Sequence, residues 1–218
     1  MYHMNPVLTP LIPQLNKQQM IHRDIICRYL DEYKGREQEL IDNWQHFNTE
    51  HLTEVAMARV GGYEFIDENH YDNSDYSDTK TTSIARAINK RTNASSYRIS
   101  IGNVVSKRGS VAKYGDLRVV MYNPCWDRLD YYFLPKAEWD PGLREYGDAN
   151  KDKIRATYNP DLDHVLGWDP SWKCNSFEEL ASRTSTITNP QLWVPKPRNN
   201  FAALFAQEGD DDWEFITD

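Results

Sequence analysis

Residues 50–84 read EHLTEVAMARVGGYEFIDENHYDNSDYSDTKTTSI, and the pattern changes three times within that stretch. Residues 50–60 carry helical spacing: Leu52, Val55 and Ala56 share one face, while Glu50 and Glu54, four apart, share another. Asn48 or Thr49 is a suitable N-cap, and Gly61-Gly62 stops the helix. Tyr63 to Asp67 alternates enough for a short strand, and Glu68 to Ser74 is a polar turn. Asp78 to Ile84 then reads as a second strand. Its period of two puts Asp78, Lys80 and Thr82 on one face and Thr79, Thr81 and Ser83 on the other.

Upstream, Lys17 to Tyr33 has a loose apolar stripe (Met20, Ile21, Ile25, Leu30) and ends at Gly35. Glu37 to Phe47 predicts a further helix through Leu40, Ile41 and Trp44. Downstream, Arg86 to Ala94 is basic and irregular. Strands are predicted over Tyr97–Val105, Asp116–Tyr122 and Leu129–Leu134, the last two joined as a hairpin across Asn123-Pro124. Residues 140–175 read as loop-rich, and Ser176-Phe-Glu-Glu as a capping box opening a short helix. Short turns between successive strands predict a mostly antiparallel meander after the strand that begins at Asp78, with helices against it and no second core. Three regions result: 1–48, helical and packing on or extending the core; 49–185, the core; and 186–218, a Pro-rich, polar and acidic tail expected to be partly disordered.

The carboxylates of the opening stretch are the candidate chemistry. A magnesium-class ion takes oxygen ligands, typically a few carboxylates with water and a substrate phosphate. Asp67 and Asp78 are ten residues apart in the intervening count, enough for a turn to bring two strands together. Lys80 follows Asp78 on the same face, where an ammonium can orient water or offset developing charge. Glu54 can add a third carboxylate from the helix. Asp72 and Asp75 compete with Asp67 as the first acid.

Asp67, the Asp78-Thr79-Lys80 string and Glu54 together resemble the restriction-endonuclease-like nucleases with the PD-(D/E)xK motif. Ile66 stands where that motif has proline. The resemblance covers roughly residues 45–135. It implies an α/β restriction-endonuclease-like core, with a central mixed sheet flanked by helices. It also implies Mg2+-dependent hydrolysis of double-stranded DNA, with Asp67, Asp78, Lys80 and Glu54 as the catalytic set and Asp67, Asp78 and Glu54 as metal ligands. The most ordinary host for such a site in a chain of this size is a type II restriction enzyme acting as a homodimer, because one site cuts one strand.

Charge distribution bears on the partner. The 218 residues carry a net charge of −8, yet residues 80–118 hold nine basic side chains against Asp116, a local balance of +8. Arg86, Lys90, Arg91, Arg98, Lys107, Arg108 and Lys113 are therefore the candidate DNA contacts. The acidic-aromatic segment Asp210 to Phe215 is a candidate hook for a partner, or a cover for the basic groove. Three well-separated cysteines (Cys27, Cys125, Cys174) predict no disulfide framework and a cytoplasmic location, and no apolar run reaches the ~18 residues of a membrane span. The histidines show no metal-binding spacing, although His51 and His70 flank the acids and are candidates for phosphate contact. A non-enzymatic nucleic-acid- or protein-binding module, such as a phage accessory protein, and a DNA-mimicking inhibitor are the alternative functional classes.

Overall fold

The structure, a computed structural model, describes residues 17–42, 49–66, 71–102, 104, 115–143, 153–187 and 213–215. Five helices occur among them: α1 (Lys17–Tyr29), α2 (Glu37–Asp42), α3 (Thr49–Gly61), α4 (Lys136–Leu143) and α5 (Phe177–Ser182). The strands are β1 (Asp78–Ser83), β2 (Ala85–Asn89), β3 (Ser95–Ile101), β4 (Leu117–Asn123), β5 (Arg128–Leu134), β6 (Ile154–Asn159), β7 (His164–Val165), β8 (Lys173–Cys174) and β9 (Trp213–Phe215). The class is α/β with helices flanking a mixed sheet, as expected. The strands divide between two sheets, however: a mixed one in the order β1-β4-β5-β8, and an antiparallel one in the order β7-β6-β3-β2-β9.

β4 explains the layering. It lies between β1, which it pairs in parallel, and β5, which it pairs antiparallel. Leu117, Val119 and Met121 point to one side and join Ile99, Ile101, Ala156 and Tyr158 of the second sheet in one core. Val120 points to the other side and joins Ile21, Ile25 and Ile26 of α1, Ala56 and Met57 of α3, and Phe177 and Leu180 of α5. Both faces are covered, so the strand needs a nearly continuous apolar run. The two faces of one strand thus serve two cores, where the sequence suggested one.

The predicted meander fails at Ile84. Its N–H donates to Tyr122 O at 2.9 Å, closing the β1–β4 ladder, and the next residue, Ala85, pairs with Arg98 to open the β2–β3 ladder. One extended path, β1 then β2, therefore crosses from sheet to sheet. Sequential strands were expected to be neighbours, which is the usual rule. Here β1 takes β4 instead, and the β2–β3 hairpin forms part of the crossover that a parallel pair requires.

Several local readings also change. The stretch 86–94 is a strand and a hairpin turn: Asn89 Oδ1 accepts from the backbone of Arg91 (2.9 Å) and Thr92 (3.0 Å), and Asn93 takes φ 59°. The loop-rich stretch 140–175 contains β6, β7 and β8, short strands whose Gly and Pro neighbours mask them in a composition-based reading. The strand expected at Tyr63–Asp67 is a single bridge, Phe65 with Asn73. Ser176 Oγ does cap α5, accepting from Glu179 N at 3.1 Å, but the Glu179 carboxylate turns to Asn175 N (2.8 Å) and leaves the box half made. β9 falls in the stretch expected to lack structure. No described helix is long and apolar enough to cross a membrane.

Candidate metal centre

Three elements converge at the first residue of β1. Glu54 comes from α3, Asp72 from the loop closed by the Phe65–Asn73 bridge, and Asp78 from the start of the strand. One carboxylate oxygen of each lies within 4.8 Å of the others. β1 is the edge strand of its sheet, so a helix packed on one face can reach round its open side. α3 is held in place by Ala56 and Met57, both fully buried. The loop is held by backbone bonds from Asp72 N and Asn73 N to Ser77 O, each 3.2 Å, and by Asn73 Nδ2 to the same oxygen at 3.1 Å.

Asp78 is fully buried. Its Oδ1 accepts from Thr79 N at 2.8 Å. Its Oδ2 lies 2.8 Å from Lys80 Nζ, a contact that lacks hydrogen-bond geometry and leaves that oxygen without a hydrogen bond among the described residues. The period-two reading of β1 holds. Lys80 reaches Asp78 on one face, Thr82 Oγ1 on that face donates to Ser100 O (3.1 Å), and Thr81 on the other bonds His22.

The electrostatics of this arrangement favour a cation. Carboxylates so close, in a largely buried place, repel one another, and the Lys80 ammonium beside Asp78 offsets part of that repulsion. A divalent ion offsets it further. The donors are all oxygens, which suits a hard ion such as magnesium, manganese or calcium. Three oxygens sharing a magnesium ion at ~2.1 Å lie ~3.0 Å apart when adjacent and ~4.2 Å apart when opposite, so carboxylate oxygens within 4.8 Å of one another close on the ion by drawing together by up to about 1–2 Å. A buried carboxylate oxygen without a hydrogen bond is the kind of group such an ion satisfies.

Of the expected site residues, Glu54, Asp78 and Lys80 come together. Asp67 lies outside the described residues, and the acid that joins them is Asp72, one of the two alternatives. The other alternative, Asp75, is committed elsewhere. Its Oδ2 takes Arg118 Nη2 at 2.7 Å and its Oδ1 takes Ser77 Oγ at 2.5 Å. Arg118 is wholly buried. It also donates to Ser77 Oγ, to Arg183 O (2.6 Å) and to Leu180 O (3.3 Å), and its guanidinium lies 4.5 Å from the centre of the Tyr63 ring. One of the nine basic residues of the 80–118 block is therefore an internal tie.

Among the described residues, the other cations of the block do not share one face. Register pairs Arg86 with Tyr97 and Ala85 with Arg98, so Arg86 and Arg98 lie on opposite faces of the antiparallel sheet. Arg98 donates to Thr157 Oγ1 of β6 at 2.9 Å. Arg86, Lys90 and Arg91 are exposed along the β2–β3 hairpin. Lys107, Arg108, Lys113 and His70 lie outside the described residues. The His51 ring packs edge-on to Phe65, with centroids 4.8 Å apart.

Sequence reasoning underrated His22. It is buried, with Nδ1 2.7 Å from Thr53 Oγ1 and Nε2 3.1 Å from Thr81 Oγ1. Burial lowers its pKa to about 4, so the ring is neutral and offers one donor and one acceptor to the two hydroxyls. Thr53 precedes Glu54 and Thr81 follows Lys80, so one imidazole ties the helix and the strand that carry the site. The available signal was a histidine among the apolar residues of α1, where a polar group needs a partner. The chain matches no protein-family model, no curated protein and no solved structure.

Proposed function

We propose that this protein is a metal-dependent nuclease of the restriction-endonuclease-like class, with Glu54, Asp72 and Asp78 holding the ion. The observation that carries this reading is the close approach of those three carboxylates, with Lys80 Nζ 2.8 Å from Asp78. An acid from a preceding loop, a D-x-K string on a strand and a helical glutamate match the motif in kind and order. The single Phe65–Asn73 bridge that encloses Asp72 is less than the strand that ordinarily carries the first acid of the motif.

A bound magnesium-class ion supplies Lewis-acid charge neutralisation at the scissile phosphate. The chain supplies the rest. Asp78, fixed by Thr79 N, sets the direction of the ligand oxygens, while Asp72 and Glu54 approach from two other elements. Lys80, on the same face as Asp78, orients the attacking water and faces the negative charge that grows on the phosphate. The water oxygen forms a bond to phosphorus and releases a proton to solvent, the bond from phosphorus to the leaving sugar oxygen breaks, and that oxygen takes a proton from solvent. Double-stranded DNA is the substrate that fits this reading. A homodimer supplies the second site for the second strand, and a type II restriction enzyme is its most ordinary setting.

The test is direct. Wild-type protein is expected to nick or linearise plasmid with Mg2+ or Mn2+, and Asp78→Asn and Lys80→Ala to lower the rate by at least about 100-fold. Intact plasmid with both ions, or normal cutting by both variants, overturns the proposal. Salt-sensitive DNA binding without cleavage, unchanged in Asp78→Asn, identifies a binding module instead.

A further inference from the structure

The acidic-aromatic end of the sequence has no role in the metal centre, yet part of it has a defined place. β9 adds an outer strand to the antiparallel sheet: Trp213 pairs with Asn89, Glu214 with Ile88 and Phe215 with Ala87. Asn89 N–H donates to Ala94 O at 2.8 Å, so Asn89 is spent on the β3 side. Strand alternation then turns the N–H and C=O of Ile88 outward, which makes Ile88–Glu214 the hydrogen-bonded pair with β9. Among the described residues β9 contributes three residues and one such pair, and an outer strand of that length lies at the low end of local stability.

The charges are complementary. The last eleven residues carry Glu208, Asp210, Asp211, Asp212, Glu214 and Asp218 and no Lys or Arg. The hairpin that β9 joins carries Arg86, Lys90 and Arg91. Trp213, the first residue after the run Asp210–Asp212, is paired with Asn89, the last residue before Lys90-Arg91. We propose that the edge of β2 is a docking site for an acidic strand, filled by the chain's own β9 (Trp213–Phe215), which competes with nucleic-acid phosphates for the β2–β3 hairpin. The segment is then an autoinhibitory strap: polyanion binding at the hairpin and strand pairing at Ile88 oppose each other, and tethering gives the strap a high effective concentration. This rests on the nucleic-acid substrate of the proposed function, and it adds a regulator to it.

The experiment uses the full chain and a fluorescent 20-base-pair duplex, read by anisotropy without divalent ions so that nothing is cut. Glu214→Pro removes the N–H that pairs with Ile88, and the triple change Asp210→Asn, Asp211→Asn, Asp212→Asn removes the charge. Both are expected to bind the duplex about tenfold more tightly than wild type, and a synthetic peptide of residues 207–218 added in trans is expected to weaken that binding again. Hydrogen exchange at the Ile88 amide is expected to quicken in Glu214→Pro. Equal affinities for wild type and both variants overturn the strap and leave the nucleic-acid reading standing. So does an Ile88 amide that exchanges at one rate in wild type and Glu214→Pro. Absence of duplex binding by every form overturns the nucleic-acid reading together with the strap.

Discussion

Asp72 and Asp75 are three residues apart and have opposite duties, which makes them a matched pair for experiment. Asp75 offsets the buried Arg118, so Asp75→Asn strips the charge partner from a guanidinium that has no water to turn to. Breaking such a pair costs about 3 kcal/mol, read as a lowered urea midpoint. Asp72→Asn is expected to leave that midpoint nearly unchanged and to weaken Mn2+ binding, measured by calorimetry, at least about tenfold. The opposite assignment of effects sinks the ligand set. His22 makes a third residue-level prediction. Its folded pKa of about 4 lies below the ordinary 6.5, so between those values the unfolded chain binds the extra proton. Stability is complete above about pH 6.5 and falls as the pH drops towards 4, by on the order of 3 kcal/mol in all. Urea titrations at pH 8, 6 and 5 should show this loss in wild type and a flatter profile in His22→Gln; matching profiles reject it. At this scale the sequence was partly legible. Spacing alone put Asp78 and Lys80 on one face and Glu54 on a helix nearby. Choosing between Asp72 and Asp75 required knowing where Arg118 ends up, a contact made 43 residues away from Asp75.

The loop 71–77 is an element without regular structure, and Gly115 holds it close. A Cβ added at Gly115 would lie 1.7 Å from Tyr76 O, a backbone atom that cannot turn aside. Gly115→Ala should therefore push the loop away from β4 and lower stability by about 2–3 kcal/mol, with weaker Mn2+ binding as Asp72 moves. Unchanged metal affinity would show that Asp72 does not depend on this contact. Helices α1, α2, α3 and α5 and the β4–β5 hairpin could be read from the sequence because their signals are local: a 3.6-residue stripe, a Gly-Gly stop, two apolar runs about a turn. β6, β7 and β8 could not, because they are short and their partners lie far along the chain. Nor could the parallel pairing of β1 with β4, since no local pattern separates a strand that takes its neighbour from one that takes the third strand on.

For the molecule as a whole, stability should be graded from its middle outward. β4 is covered on both faces and paired on both edges, whereas β9 is a three-residue outer strand. Native-state hydrogen exchange should find Val119 and Val120 amides slowest and Ile88, at the β9 side, far faster; the reverse order contradicts the layering. The continuous run from β1 through Ile84 into β2 also acts as a ruler. Asp78, in the metal centre, and Asn89, at the basic hairpin, are its two marks, eleven residue steps apart. At ~3.3 Å per step their separation is at most ~36 Å. A duplex rises ~3.4 Å per base pair, so one molecule touching DNA at both marks covers at most about one helical turn. Duplexes of 6 base pairs should then bind far more weakly than those of 12, with little further gain at 16.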